Sequence, residues 1–323
     1  VTIQVVSDGA GQSSSGSSSS SGGNRSSSGG SSSDQGSSSA SSASDADVFM
    51  RLNLSKTNVV VGEPITATLS LYQRANIVGF ENARFPSFDG FWSQETYSPT
   101  NIEFKRESLD DKIYDAAVLR SYVLIPQQAG TLTIDPAELV CLVNVRASNT
   151  PSSNPLDIFF QDEYRTIRKR VTTSAVKVRG SPLPAGQPGS FGGGVGNFGI
   201  SARVTSDKIK THDAASVVVT VSAKGNVSLL EAPKVIFPPD FEVYDTKVTE
   251  NTDKSSGRTS GSKAFEYPFI PRSHGIFEIP SIEYSYYDVS AGKYVTLHTE
   301  PLKMEVEKGN ASESSSQVSS VPA

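Results

Sequence analysis

Histidine is the side chain best suited to moving protons near neutral pH or ligating a transition metal, and the chain has three: His212, His274 and His298. No HxH or HExxH spacing brings two of them onto one ion, so they read as surface polar residues in a strand-start loop, a turn and a strand. Carboxylates gather at Asp45 with Asp47, at Asp110 with Asp111 and at Asp157 with Asp162, but none of these sits in a calcium loop with its glycine and closing glutamate. The one thiol, Cys141 in Glu-Leu-Val-Cys-Leu-Val, has no cysteine partner for a disulfide, a redox pair or a thiolate zinc cage, and is expected as a small buried hydrophobe. No GxSxG elbow or Ser/Thr-x-x-Lys dyad occurs, and most serines lie in low-complexity stretches without a base beside them. The run from Gly194 through Gly196 to Gly199 satisfies the letters of the dinucleotide fingerprint, but a Pro/Gly stretch precedes it and no helix pattern follows, so it reads as flexible linker. These residues point to a chain that is not an enzyme, with no catalytic residue, no metal and no cofactor.

Aromatic side chains are the remaining candidates for recognition. Phe80, Phe85, Phe88, Phe91 and Trp92 crowd one stretch, and Tyr284, Tyr286, Tyr287 and Tyr294 another. Core packing accounts for most of them. Tyr286 and Tyr287 are consecutive, however, and on a strand consecutive residues face opposite sides. One of the pair is therefore expected at the surface, which makes Tyr284, Tyr286, Tyr287 and Tyr294 the candidate protein-contact residues, with a glycan as the alternative ligand. The formal net charge of -5 argues against a nucleic-acid partner. The one dense basic stretch, Arg165-Thr-Ile-Arg-Lys-Arg170, reads as a solvated strand face.

The elements that position these residues are strands. Ile65, Ala67, Leu69 and Leu71 alternate with Thr66, Thr68 and Ser70, and Val217, Val219 and Val221 repeat the pattern. Further short strands are expected at 122–125, 132–134, 139–145 and 276–279, between Pro and Gly breaks. A short helical turn fits 155–164, where Asn154 caps and Pro155 takes the first position. Residues 7–44 are almost wholly Ser and Gly and cannot bury enough apolar surface to order a backbone; 309–323 share that composition. Residues 1–6 alternate like the last strand of a truncated upstream domain, and no run of 18 apolar residues offers a membrane span, so the sequence reads as an excised piece.

Two stretches of the chain align with each other. Ala83-Arg-Phe-Pro-Ser-Phe-Asp-Gly-Phe matches Val235-Ile-Phe-Pro-Pro-Asp-Phe-Glu-Val, which sets Phe85 against Phe237. Leu124-Ile-Pro-Gln-Gln-Ala-Gly matches Phe269-Ile-Pro-Arg-Ser-His-Gly, which sets Gly130 against Gly275 and Ala129 against His274. Units this long are duplicated domains, not short stacked repeats. The expected architecture is all-β: tandem immunoglobulin-like antiparallel β-sandwiches at 45–180 and 199–308, joined by a Pro/Gly linker at 181–198.

The combinations Val59-Val-Val-Gly-Glu-Pro, Val78-Gly-Phe-Glu-Asn-Ala-Arg-Phe-Pro-Ser-Phe-Asp-Gly-Phe, Leu119-Arg-Ser-Tyr-Val-Leu-Ile-Pro-Gln-Gln-Ala-Gly and Pro182-Leu-Pro-Ala-Gly-Gln-Pro followed by Gly194-Val-Gly-Asn-Phe resemble the BatD, or oxygen-tolerance, family over roughly 45–307. The resemblance implies an exported scaffold with consecutive immunoglobulin-like domains in the periplasm, and an inner-membrane anchor downstream of this stretch. It also implies envelope-protein partners encoded in the same operon: von Willebrand A-domain and tetratricopeptide-repeat proteins, with a MoxR-type ATPase. Its link to aerobic and stress tolerance brings no catalytic residues to carry over. The alternative function is a carbohydrate- or peptidoglycan-binding module.

Overall fold

The computed structural model describes residues 47–146, 164–206, 208–253 and 259–309. The strand expected at 1–6, the Ser/Gly stretch at 7–44, the tail past Gly309 and all but the last residue of the expected helical turn lie outside the described residues. Tyr164, the last residue of that turn, opens a strand.

The first sandwich consists of β1 (Val48–Leu54), β2 (Asn58–Val60), β3 (Ile65–Gln73), β4 (Asn76–Arg84), β5 (Phe91–Tyr97), β6 (Lys105–Leu109), β7 (Lys112–Pro126), β8 (Gly130–Ile134), β9 (Glu138–Arg146), β10 (Tyr164–Thr172) and β11 (Val176–Ser181). One layer runs β1-β3-β7-β5, with β6 also on β7, and the other runs β10-β9-β4. This is the strand order of an immunoglobulin sandwich. A small third sheet, β2-β11-β8, closes one end. The alternation in β3 sends Leu69 and Leu71 inward to meet Leu139, Cys141 and Val143 of β9, while Ile65 and Ala67 meet Leu124, Ile134 and Val178 nearer the small sheet. Each of the Leu, Ile and Val side chains among them contributes about 1.5–3 kcal/mol by leaving water.

The second sandwich repeats the plan with β12 (Phe191–Val204), β13 (Ile209–Lys210), β14 (Ala215–Gly225), a 3-10 turn (Val227–Leu229), β15 (Phe241–Val243), β16 (Lys247–Thr252), β17 (Ser260–Pro271), β18 (Gly275–Ile279), β19 (Glu283–Asp288), β20 (Lys293–His298) and β21 (Leu302–Glu307). Its core, which includes Val217, Val219, Val221, Phe265, Phe269 and Tyr284, shares no residue with the first.

Backbone hydrogen bonds show how far the two halves correspond. Gly62 N donates to Pro126 O and His212 N to Pro271 O, both at 2.9 Å. Gln127 N donates to Gly90 O, and Arg272 N to Asp240 O. The hydroxyl of Thr173 accepts from Ala137 N at 2.9 Å, and that of Thr299 from Ile282 N at 3.1 Å. The sequence alignment needs one adjustment between these fixed points. Phe85 and Phe237 both lie in the loop leading to the short edge strand, β5 or β15, but their rings are not equivalent. Phe237 packs on Tyr267 as Phe88 packs on Tyr122, whereas Phe85 lies under the Arg120 guanidinium, 4.6 Å away.

The halves differ in one strand, and there the Pro/Gly-linker expectation for 181–198 needs correction. In the first sandwich β4 flanks β9; in the second, residues 227–240 form no strand, and the place beside β19 is taken by the start of β12. Phe191 to Val195 pair parallel with β19, and from Gly196 onward the same strand pairs antiparallel with β14. Gly196 makes that change of layer possible. Its φ is 141°, and a Cβ there would fall 2.2 Å from Lys224 O. The connector between sandwiches is thus 182–190, and the letters of the dinucleotide fingerprint sit inside a strand.

Candidate protein-contact surfaces

The tyrosine group is built by the β19–β20 hairpin, whose turn is held by Asp288. Its Oδ1 accepts from Ser290 N, Ser290 Oγ and Ala291 N, and the Ser290 side-chain bond is the main cause of its lowered pKa. Alternation sends Tyr284 and Tyr286 into the core, where Tyr286 packs against Phe198 at 5.0 Å. Tyr284 is fully buried, and its hydroxyl donates to Gly192 O at 3.0 Å. Burial pushes its pKa far above the ordinary tyrosine range, with the Glu231 carboxylate adding to the effect. Tyr287 turns to the other face, as consecutive residues must, yet it is only 6% exposed. The Tyr294 ring meets it edge-on at 5.3 Å, Phe191 meets Tyr294 at 5.4 Å, and the Tyr294 hydroxyl donates to Pro184 O at 2.8 Å. The 182–190 connector and the head of β12 therefore use this aromatic surface for internal packing. The expected exposed strip does not exist: Tyr284, Tyr286 and Tyr287 are buried and Tyr294 is half-buried. The glycan alternative loses the observation that motivated it.

Among the surface openings, one in each sandwich lies beside the start of β9 or β19. In the first, a groove of about 160 Å³ lies between the end of β4 and the start of β9, with Leu139 on its floor and Glu138, Arg84, Phe85 and Arg120 around it. In the second, a cleft of about 660 Å³ lies between residues 231–236 and the start of β19, with Tyr284 on its floor and Glu231, Lys234 and Glu283 around it. The Thr173 and Thr299 bonds above place Glu138 and Leu139 at the positions of Glu283 and Tyr284. The two openings thus share one equivalent corner, while the rest of the first is lined from the opposite layer, by Met50, Ile102 and Leu119, and the rest of the second by Pro188 to Gly192. Sequence reasoning noticed Phe80 and Phe85 but assigned them to core packing. Arg120 gave no signal, because only the folded chain brings it over the Phe85 ring.

The residues weighed for chemistry are placed as follows. Cys141 is fully buried, and burial pushes its thiol up to about 12. Asp110 and Asp111 form the left-handed turn of the β6–β7 hairpin, where Asp110 accepts from Arg51 at 3.1 Å. His298 faces Glu283 at 3.8 Å on the surface. His212 contacts Arg272, which also pairs with Glu242; that bond, with one from Tyr244, lowers the Glu242 pKa. This exposed network clamps the β15 edge to the loop before β14. Among the described residues no three His, Cys, Asp or Glu side chains converge as a metal site.

A family model described as the BatD DUF11-like domain matches residues 52–159 and 202–306, one stretch in each sandwich and well over half of the chain. No curated protein matches. Similar solved structures include the type II cohesin dyad from the adaptor ScaA scaffoldin of Acetivibrio cellulolyticus, 9% identical, covering 79% of this chain and 98% of that one with a TM-score of 0.22. A putative membrane-anchored protein from Corynebacterium diphtheriae is 10% identical, covering 82% of this chain and 92% of that one with a TM-score of 0.21. The Yersinia pseudotuberculosis adhesin InvE is 12% identical, covering 81% and 59% with a TM-score of 0.20. Superpositions this loose carry no argument about function.

Proposed function

The chain belongs to the BatD family, and from that premise we propose that it is the binding part of a membrane-anchored, periplasm-facing ectodomain acting as a non-catalytic adaptor. Its partners in this reading are envelope proteins of an aerotolerance or stress-tolerance complex: the von Willebrand A-domain and tetratricopeptide-repeat proteins of its operon, working with a MoxR-type ATPase. The observation that supports adaptor work is an opening at the corresponding corner of each sandwich, beside Glu138 and Leu139 in the first and beside Glu283 and Tyr284 in the second. An adaptor needs standing, preformed surface of this kind.

The experiment is affinity purification of the full-length anchored protein after mild cross-linking, with identification of the captured proteins. Enrichment of the von Willebrand A-domain or tetratricopeptide-repeat proteins over an unrelated anchored sandwich is the expected result. Equal recovery from both baits would overturn the adaptor reading, as would substrate turnover by the purified chain.

A further inference from the structure

The geometry points to the groove of the first sandwich as a socket for one large apolar side chain, of leucine or phenylalanine size, presented by an extended acidic segment of a partner protein. This rests on the adaptor reading and gives that surface a ligand chemistry. Met50, Leu69, Phe80, Ile102, Leu119 and Leu139 line the opening, so its interior is the edge of the hydrophobic core itself. Its volume of about 160 Å³ is that of one aromatic ring; an engineered apolar cavity of about 150 Å³ holds benzene.

The local backbone keeps the socket open. β4 pairs with β9 as far as Glu81, with one bulge at Val78, then shifts again, and pairing resumes only at Arg84 with Glu138. Between them Asn82 takes a left-handed φ of 47°, which swings the chain away from the sheet. Phe85 is left on the surface at 39% exposure, stacked under Arg120. Arg120 is itself fixed, with Nε 3.2 Å from Glu95 Oε2 and Nη1 donating to Leu119 O at 3.2 Å. An aromatic ring with a preordered arginine at the mouth of an apolar pocket is the composition of an interface anchor, and little side-chain entropy remains to be lost on binding.

Charge selects the partner. The rim carboxylates are already matched: Glu81 by Arg168 at 3.0 Å, Glu138 by Arg170 at 3.5 Å, and Glu95 by Arg120. Arg84, exposed on the lip, meets no carboxylate among the described residues. The rim is therefore locally positive in a chain of net charge -5 and complements an acidic segment. Among the described residues β4 is also the outer strand of its sheet, so an extended partner can pair with its outer edge while one side chain enters the socket. The second cleft, rimmed by Glu231 and Glu283 against Lys234, has the opposite charge balance and serves as an internal control.

The test uses the full 323-residue chain with labelled Ile, Leu and Met methyls, titrated with the capped peptide Thr-Asp-Phe-Asp-Thr. Saturable shifts are expected at Met50, Ile102, Leu119 and Leu139 and not at Ile236 or Ile282. Replacing the peptide's Phe by Ala, or its Asp residues by Lys, should weaken binding about tenfold or more. Ala83→Trp, which blocks the mouth, and Arg84→Glu, which inverts the rim, should do the same while methyl signals of the second sandwich stay unmoved. Equal binding of the Phe and Ala peptides, or shifts centred on the second cleft, overturns the socket. In the anchored protein, undiminished capture of the same partners by Ala83→Trp also overturns it and leaves the adaptor reading standing. Peptide binding without enrichment of any partner would sink the adaptor reading and leave the socket.

Discussion

Replacing Gly192 by Ala adds one methyl group where the head of β12 crosses the Tyr284 ring. Its carbon would fall 2.1 Å from Tyr284 Cε2, 2.6 Å from Cζ and 2.7 Å from the hydroxyl oxygen, well inside the 3.5–4.0 Å of ordinary carbon contact. Tyr284 cannot step aside, because it is fully buried and its hydroxyl is bonded to the carbonyl of the same glycine. Overpacking of this kind costs about 1–3 kcal/mol. A displaced ring also leaves a buried hydroxyl and carbonyl unpaired, for about 1–3 kcal/mol more. A Gly to Ala change returns up to about 1 kcal/mol through the unfolded chain. The net expectation is a loss of about 2–4 kcal/mol, or about 8–16 °C in the melting temperature of a domain of roughly one hundred residues.

Three residues away, Gly189 has nothing within 4 Å of where its Cβ would be. Gly189→Ala should therefore be neutral or slightly stabilising. Calorimetry of both variants, with the single Trp92 as a fluorescence probe of the first sandwich, isolates the effect on the second. If the two alanine variants melt within about 0.5 kcal/mol of each other, the head of β12 is a linker after all and its packing on Tyr284 is wrong.

Asn226 is 2% exposed, accepting from Val195 N and donating to Gly193 O, both at 2.8 Å; Asn226→Ala should cost about 2–4 kcal/mol by stranding two backbone groups, and an unchanged urea midpoint would contradict that. His212 occupies, at φ 71°, the left-handed position that Gly62 holds at 87° in the other half, so His212→Gly should stabilise by about 0.5–1 kcal/mol; a lower melting temperature would show that its Arg272 contact outweighs the strain. Cys141, with its thiol held at about 12 by burial, should resist a thiol reagent at pH 8 until the protein unfolds, and rapid labelling of the native chain would refute its placement. Burial likewise raises Tyr122 to about 12, and Tyr267 and Tyr284 further. Unfolded tyrosines ionise near 10, so above that pH the unfolded state binds fewer protons and stability falls as pH rises. Absorbance at 295 nm should show a cooperative late step, and a smooth titration of all eleven tyrosines near pH 10 with the fold intact would count against it.

Much of the fold was readable because strand alternation is a two-residue code. Ile65 to Leu71 and Val217 to Val221 announce their buried faces, and Pro with Gly marks the turns at 126–130 and 271–275. The head of β12 was unreadable for the opposite reason. Its inward positions are glycines, chosen because the Tyr284 ring and the Lys224 backbone occupy the space a side chain would need. A strand made of glycine has no alternation to detect. The tyrosine strip failed differently. Alternation correctly put Tyr286 and Tyr287 on opposite faces, but a sheet face is exposed only if nothing covers it, and the cover comes from Pro184 and Phe191, about a hundred positions away in sequence. The groove around Leu139 could not be foreseen, since it depends on where β4 leaves its register with β9.

The asymmetry between the halves also bears on which sandwich is free to bind. In the second, the place beside β19 and the outer tyrosine face are both occupied by the segment that leads in from the first sandwich. A partner strand seeking that edge would compete with a tethered neighbour at high effective concentration, a contest that a diffusing ligand loses. In the first sandwich β4 comes from within the domain, and among the described residues no strand lies against its outer edge. The contact of Gly62 with Val195, where a Cβ would approach to 2.7 Å, further commits the second sandwich to its neighbour. The duplication has thus left the second copy to carry the joint. Recognition by this chain should for that reason be lost through changes at Arg84 and Phe85 well before it is lost through changes at Tyr287 and Tyr294, whose removal would loosen the joint first.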